Sequence, residues 1–296
     1  SGSNLRGSVK PLKNISRVNK NHVLFFLGTI LILTIVLYYN SFKGAILNWD
    51  DNTYIIQNTA IQNLDGNHFK EIFTQFYASN YHPLTSLSWA IEYSIAGTKS
   101  VFLYHFDNLL LHLLNVVLVF LLFRLISKND SVALLVALLH AIHPMHVESV
   151  AWISERKDLL YSCFFLLSLI MYFKYLREGS YISDENGVVQ KINNKKTIFY
   201  IASSFAFFLL SLLSKSAAVI LPAALFLIDY LFKRKITLQL FLEKIPFFAL
   251  SLLFGILALQ SQKEVINNLP QFSILQKILI INHSFLFAHT KLVFQT

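Results

Sequence analysis

The sequence has little charge and almost no cysteine. Charged residues make up 14% of its 296 residues, whereas a soluble domain carries about 25%. The single cysteine, Cys163, leaves no basis for a disulfide framework. Hydrophobic residues make up 55% of the chain and its mean hydropathy is +0.53. These values exclude a soluble enzyme, a disordered segment and a disulfide-rich secreted domain, and they predict a polytopic membrane protein.

The net charge of +9 raises the possibility of nucleic-acid binding. The basic residues, however, cluster in short segments between long apolar runs. That distribution is typical of topology signals in membrane proteins. We therefore expect a lipid bilayer as the partner, and no nucleic acid.

Eight apolar segments are candidate membrane spans. The first, at 23–39, follows a basic tail at 1–22 and has no small-x-small cleavage site after it, so we interpret it as a retained span. The others lie at 101–126, 131–142, 159–176, 197–214, 216–232, 245–259 and 274–294. The predicted fold is an all-α multi-span bundle with a cytoplasmic tail at 1–22 and a transmembrane module at 23–296.

The positions of the basic residues orient this bundle. With the N-terminus inside, sixteen lysines and arginines fall in inner segments and seven in outer ones. Cytoplasmic loops carry the excess of basic residues in membrane proteins, so this orientation is favoured. It places the long loop at 48–100 outside.

The outer loop contains two amphipathic stretches. Apolar residues recur at helical spacing from Phe69 to Phe76, and again from Leu84 to Ile95 after Pro83, which suits a first helical turn. We predict two helices in the plane of the membrane interface. The alternative is a small cap with a packed core, which we disfavour because the loop is too short to bury much surface.

Two groups of polar residues lie near the outer ends of the first two spans. Asp50 and Asp51 follow span one, where they could act as a general base, bind a polar substrate or simply cap a helix. On span two, His105, Asn108, His112 and Asn115 share one helix face. This stripe lines a wet cavity or makes hydrogen bonds between helices.

Two further groups lie between later spans on the same side. His143, His146 and Glu148 resemble metal ligands, but their spacing lacks the His-Glu-x-x-His register and Pro144 interrupts the helix, so we predict no metal. Arg156 and Lys157 follow them, against the positive-inside trend. Cations in such places usually have an anionic partner.

Lys215 occupies a tight outer turn between spans five and six, where its amine can reach a phosphate. A carboxylate pair, several histidines and three cations therefore converge on one membrane face. This convergence indicates a site at the outer interface for an anionic, lipid-borne substrate.

Five segments carry a family resemblance. They are Trp-Asp-Asp at 49–51, Tyr-His-Pro-Leu at 81–84, Asn-Leu-Leu-Leu-His at 108–112, the run at 143–160 that begins His-Pro-x-His-x-Glu, and Leu-Ser-Lys-Ser at 213–216. Together they resemble the transmembrane and tetratricopeptide-repeat O-mannosyltransferases and their bacterial relatives, within the GT-C superfamily. The resemblance covers about residues 45–232.

The resemblance implies a polyprenyl-phosphate-sugar donor, transfer to a hydroxyl of a protein or glycan, and inversion at the sugar. It also implies that the reaction needs no cofactor. Asp50 would be the base beside Asp51, and Arg156, Lys157 and Lys215 would bind the donor phosphate. His82, His143, His146 and Glu148 would contact sugar or acceptor, or order the loops.

Two rival functions remain, a transporter and a membrane metallohydrolase. A transporter would show repeated halves, and no internal repeat is apparent. Because the tetratricopeptide repeats and later helices of the family do not follow, we expect a truncated form. We expect a bacterial inner membrane rather than the endoplasmic reticulum.

Overall fold

The computed structural model describes residues 19–98, 100–178, 181–183, 189–191, 195–263 and 273–294, so most of the predicted tail at 1–22 lies outside the described residues. Helices dominate the described residues. In chain order they are α1 (Lys20–Tyr38), α2 (Gly66–Thr74), α3 (Pro83–Ala96), α4 (Val101–Ser127), α5 (Asp130–Ile142), α6 (His146–Ala151), α7 (Arg156–Glu178), α8 (Lys195–Ser214), α9 (Leu221–Leu231), α10 (Leu238–Leu242), α11 (Ile245–Ser261) and α12 (Ile274–Phe294). A short antiparallel hairpin, β1 (Tyr181–Ser183) with β2 (Val189–Lys191), separates α7 from α8.

Five helical segments among the described residues are long and apolar enough to cross a membrane: Lys20–Lys43, Val101–Ser127, Ile153–Glu178, Lys195–Ser214 and Leu238–Ser261. Two shorter apolar helices, Asp130–Ile142 and Ser216–Leu231, correspond to the predicted segments at 131–142 and 216–232. The predicted all-α multi-span membrane fold is confirmed. The eighth predicted segment is the 21-residue helix α12, which is not one of the five.

One face of the short helix α5 is packed closely against α1 and α4. Ala133, Ala137 and Ala141 form a stripe with no exposed surface, and they lie in one core cluster with residues of α1 and α4. Small residues at this spacing let helix backbones approach closely. This packing accommodates a helix that is too short to cross ~30 Å of hydrocarbon by itself.

The polar stripe of α4 makes hydrogen bonds between helices. Asn108 Nδ2 donates to the Trp152 carbonyl at 3.0 Å, and Asn115 Nδ2 donates to the Leu159 carbonyl at 3.0 Å. His112 Nε2 lies 3.1 Å from the Ala141 carbonyl. For these three residues the structure therefore supports interhelical bonding, since each is at most 1% exposed.

The end of the bundle that carries residues 44–100 is called the loop end. Its loop buries an apolar core of its own, whose members are Tyr54, Ile55, Ala60, Ile61, Ile72, Trp89 and Ala90, with Tyr104 of α4 and Ile153. Our expectation that the loop is too short for a core was wrong, because the loop uses side chains of two other elements. The two predicted helices are present as α2 and α3.

A buried ionic network holds the opposite end together. Arg234 Nη1 lies 2.8 Å from Asp229 of α9 and Arg234 Nη2 lies 3.0 Å from Glu243. Lys244 has no exposed side-chain surface, pairs with Asp229 and donates to the Tyr172 hydroxyl at 2.9 Å. These contacts connect α7 and α9 to the residue that precedes α11, at the end of the bundle opposite the loop end.

Candidate active site

A cavity of about 390 Å³ opens at the loop end. This volume lies within the range of small-molecule sites. Its wall comes from the segment before α3, the first turn of α7, the turn after α8 and the outer face of α11. The lining residues are Asn80, Tyr81, His82, Lys157, Lys215, Ser216, Ala217, Val219, Gly255, Ala258, Ser261 and Gln262.

Two lysines from different elements meet in this cavity. Lys157 lies in the first turn of α7 and Lys215 precedes the 3-10 turn Ser216–Ile220. Lys157 Nζ is 2.8 Å from Glu155 Oε1, and Lys215 Nζ pairs with Asp158 and lies 3.9 Å from Glu155 Oε2. The lysines are 13% and 29% exposed, so both ammonium groups remain partly open to the cavity.

Asp50 joins this group from the first loop. Its Oδ2 lies 4.0 Å from Lys157 Nζ, and its side chain is 39% exposed. A carboxylate that is both exposed and held near a cation can accept a proton from an incoming hydroxyl. Of the candidate site residues, the structure thus brings Asp50, Lys157 and Lys215 near one another.

Asp51 has a different environment from its neighbour. It is 1% exposed, and its two oxygens accept hydrogen bonds from the backbone N–H groups of Ser154 at 2.8 Å and Leu47 at 3.1 Å. Both lone-pair directions toward the protein are therefore occupied. Asp51 fastens the start of the first loop to the turn before α7, which places Asp50 beside Lys157.

Arg156 is buried and already has several partners. Its side chain is 1% exposed, and it pairs with Glu92 of α3. Its Nε donates to Asn108 Oδ1 at 2.7 Å and its Nη2 donates to the Tyr104 carbonyl at 2.8 Å. The guanidinium thus joins α3, α4 and α7. Arg156 does not line the cavity, so phosphate binding by this residue stays a prediction.

His82 reaches the cavity from the residue before α3. Its ring contacts the rings of Tyr54 and Trp89, and its Nε2 is buried without a hydrogen-bond partner among the described residues. Burial, with smaller contributions from the two cavity lysines, lowers the pKa of His82 to about 3. The imidazole is therefore neutral at physiological pH, and its unpaired Nε2 is buried.

His143 and His146 belong to a cluster of histidine rings, and Glu148 follows in α6. The His146 ring lies 4.4 Å from the His140 ring and 5.7 Å from the His112 ring, and the His143 ring lies 5.9 Å from that of His146. None of the three lines the cavity of the lysines, so their sugar or acceptor roles remain predictions. In the part of the chain that the structure describes, no group of three His, Cys, Asp or Glu is arranged to hold a metal ion.

Three important carboxylates were not given roles from the sequence. Glu155 and Asp158 pair with the cavity lysines, and Glu92 neutralises Arg156. Glu92 is the only charged residue of α3, and a buried acid of this kind needs a partner. For the other two, the available signal was that acidic residues flank Arg156 and Lys157 at 155–158.

The cavity therefore presents two partly exposed ammonium groups, and the Asp50 carboxylate lies 4.0 Å from one of them. Chemically, the ammonium groups can bind an anionic group and the carboxylate can accept a proton from a hydroxyl.

The relatives of this chain include vertebrate protein O-mannosyl-transferases. The chain is 37% identical over 101 residues to Protein O-mannosyl-transferase TMTC1 of Mus musculus, which covers 34% of the chain and 11% of the relative. It is 32% identical over 169 residues to TMTC4 of Homo sapiens, covering 50% and 23%, and 28% identical over 167 residues to TMTC3 of Homo sapiens, covering 53% and 17%. These similarities confirm the resemblance to the transmembrane and tetratricopeptide-repeat O-mannosyltransferases.

The chain thus spans less than a quarter of the length of these relatives. No family model matches the chain, and no solved structure matches it.

Proposed function

We propose that the chain carries the catalytic portion of a membrane glycosyltransferase. It transfers a mannose-like sugar from a polyprenyl-phosphate donor to a hydroxyl of a protein or glycan, on the periplasmic or lumenal face. The observation that carries the proposal is the exposed Asp50 carboxylate 4.0 Å from Lys157, beside a cavity that also contains Lys215. The names of the relatives support the sugar and the reaction class.

The donor phosphate binds between Lys157 and Lys215. As the bond between sugar and phosphate breaks, negative charge grows on the phosphate oxygens, and fixed ammonium groups stabilise that charge. A phosphate is already a good leaving group, so no carboxylic acid has to protonate it. The apolar wall formed by Ala217, Val219 and Ala258 offers a surface for the first units of the lipid chain.

Asp50 removes the proton from the acceptor hydroxyl as the hydroxyl oxygen attacks the anomeric carbon. Attack from the face opposite the phosphate inverts the sugar configuration. Asp51 acts on Asp50 only through the backbone that it holds, and the neutral His82 offers a hydrogen-bond partner for a sugar or acceptor hydroxyl. The membrane orientation, and a bacterial inner membrane as the location, belong to the same proposal.

A transfer assay tests this proposal. Membranes that hold the full-length protein receive polyprenyl-phosphate mannose labelled in the sugar, and the label in protein and glycan is counted. Asp50→Asn should lower transfer by about 10²–10⁴-fold, because the amide keeps the shape of the side chain but cannot accept the proton.

Asp65→Asn is the matched control in the same loop. Asp65 caps α2 through the N–H groups of Asn67 and His68, and asparagine caps helices equally well. Its transfer rate should equal that of the wild type. Near-normal transfer by Asp50→Asn would remove Asp50 from the mechanism, and label that stays on the lipid with the wild type would contradict the donor assignment.

A further inference from the structure

One carboxylate faces both lysines of the cavity. Glu155 Oε1 lies 2.8 Å from Lys157 Nζ, and Glu155 Oε2 lies 3.9 Å from Lys215 Nζ. The two lysines come from α7 and from the turn after α8, which are far apart in the chain. An oxyanion that bridges two ammonium groups in this way makes the same contacts that a phosphate would make.

The backbone on both sides of Glu155 is held, whereas the side chain is held by its contacts with the two lysines. Residue 154 donates to Asp51 at 2.8 Å, and Arg156 is anchored in the interior, so both flanking residues are fixed. The Glu155 side chain is 13% exposed, and the two lysines that it contacts line the cavity. Because the flanking backbone is held, displacement of the carboxylate requires rotation of the side chain and no movement of the backbone.

Both lysines keep another partner when Glu155 leaves. Lys157 has Asp50 at 4.0 Å and lies over the Tyr54 ring, and Lys215 pairs with Asp158 and lies over the Tyr161 ring. The cations thus stay in position without Glu155. Its carboxylate is not needed to hold them apart or in place.

The charge of this group disfavours an anion while Glu155 is present. The group contains three carboxylates and two ammonium groups, which leaves one net negative charge. The carboxylates are those of Asp50, Glu155 and Asp158, and the ammonium groups are those of Lys157 and Lys215. An incoming phosphate diester carries another negative charge and meets repulsion. With Glu155 displaced, the remaining charges balance.

We infer that Glu155 is an internal competitor for the donor phosphate and that this residue sets the donor affinity of the site. The inference rests on the proposed function. If Glu155 competes with the phosphate, removing its charge should strengthen donor binding. If Glu155 only supported the structure of the site, replacing it should weaken donor binding.

The experiment measures binding of polyprenyl-phosphate mannose, the phosphate diester that serves as donor, to the purified full-length protein in detergent. Glu155→Gln should lower the dissociation constant by about fivefold to fiftyfold, the range expected for one charge interaction at a partly exposed site. Binding of the uncharged polyprenol should not change. Glu155→Ala is the second variant. If one of the two variants fails to fold, the other still tests the change in affinity.

Glu71→Gln is the matched control. It also removes one negative charge, but Glu71 belongs to α2 and lines a different cavity. It should bind like the wild type. Wild-type affinity or weaker binding in both Glu155 variants would overturn the inference while leaving the proposed function intact. Failure of the wild type and of both Glu155 variants to bind the phosphate lipid would instead overturn the donor assignment, on which the inference rests.

Discussion

Asp50 and Asp51 are adjacent in the chain but differ in solvent exposure and in hydrogen bonding. Asp50 is partly exposed near a lysine, whereas Asp51 is buried and accepts two backbone hydrogen bonds. A buried carboxylate with charge-assisted hydrogen bonds contributes to stability, and an exposed one contributes little. Substitution of Asp51 should therefore lower the free energy of unfolding much more than substitution of Asp50.

We expect Asp51→Ala to lower the free energy of unfolding by about 1–3 kcal/mol, because the buried N–H of Ser154 and the partly buried N–H of Leu47 lose their charged acceptor. Asp50→Ala should change it by less than about 0.5 kcal/mol, as surface substitutions usually do. Chemical denaturation in detergent, followed by tryptophan fluorescence, measures both. Equal losses in the two variants would contradict this division of roles.

His82 makes part of the stability depend on pH. Its folded pKa is about 3 and its ordinary value is 6.5, so in this interval the unfolded chain binds a proton that the folded chain does not. The contribution is therefore complete above pH 6.5 and is lost progressively as the pH falls toward 3.

Replacing His82 with glutamine removes this titration. Between pH 7 and pH 5, the unfolding temperature of His82→Gln should fall less than that of the wild type. His22→Gln, at an exposed position of α1, should behave like the wild type. Parallel curves for wild type and His82→Gln would show that the imidazole is not buried as described.

At the scale of elements, a single guanidinium joins three helices. Arg156 begins α7, takes its counter-charge from α3 and donates two hydrogen bonds to α4. Breaking a buried ion pair on one side leaves an uncompensated charge, whereas replacing both members with apolar side chains is often tolerated. The position of Lys157, one residue on, depends on this junction.

Glu92→Met should lower the free energy of unfolding by about 3–5 kcal/mol, because Arg156 stays buried without its counter-charge. The double variant Glu92→Met with Arg156→Met should regain most of that loss. A double-mutant cycle of unfolding free energies measures the coupling. Additive losses would mean that the two side chains do not interact in the folded protein.

The segment between α1 and the first loop contains a glycine that has no room for a side chain. A Cβ at Gly44 would lie 2.7 Å from His105 Nε2 and 2.9 Å from the Ser41 carbonyl oxygen. Gly44→Ala should therefore destabilise the protein by about 1–3 kcal/mol. Gly28→Ala, where nothing lies within 4 Å, should stabilise α1 slightly. Thermal unfolding of both variants checks this, and a neutral Gly44→Ala would contradict the close approach.

For the whole molecule, apolar run length predicted the spanning helices well. A spanning helix satisfies its backbone N–H and C=O groups within its own segment. The length and composition of an apolar run are therefore enough to predict the helix. The loop core could not be predicted in the same way, because Tyr104 and Ile153 reach it from distant parts of the chain.

The same limit applies to the site. Asp50, Lys157 and Lys215 were grouped as candidates because the predicted topology places the ends of their segments on one side of the bundle. The buried role of Arg156, the pairing of Glu155 with both lysines and the separate place of His146 depend on side-chain packing. No local sequence pattern encodes these contacts.

Orientation in the membrane is a prediction that single cysteines can test. With the buried Cys163 unreactive, an impermeant thiol reagent added outside intact cells should label Gln75→Cys. It should label Lys235→Cys only after the membrane is opened. Both positions are exposed in the folded protein. The reverse pattern would invert the topology and place the cavity on the cytoplasmic side.

The hydrogen bond from Ser154 to Asp51 spans 103 residues of chain, and that from Thr85 to Ser214 spans 129. Ribosomes add roughly 5–20 residues per second, so Asp51 is made about 5–20 s before its partner. During that interval the nascent first loop lacks the residues that close its core. Slow translation between α4 and α7 therefore lengthens the time during which this loop is open to chaperones and proteases.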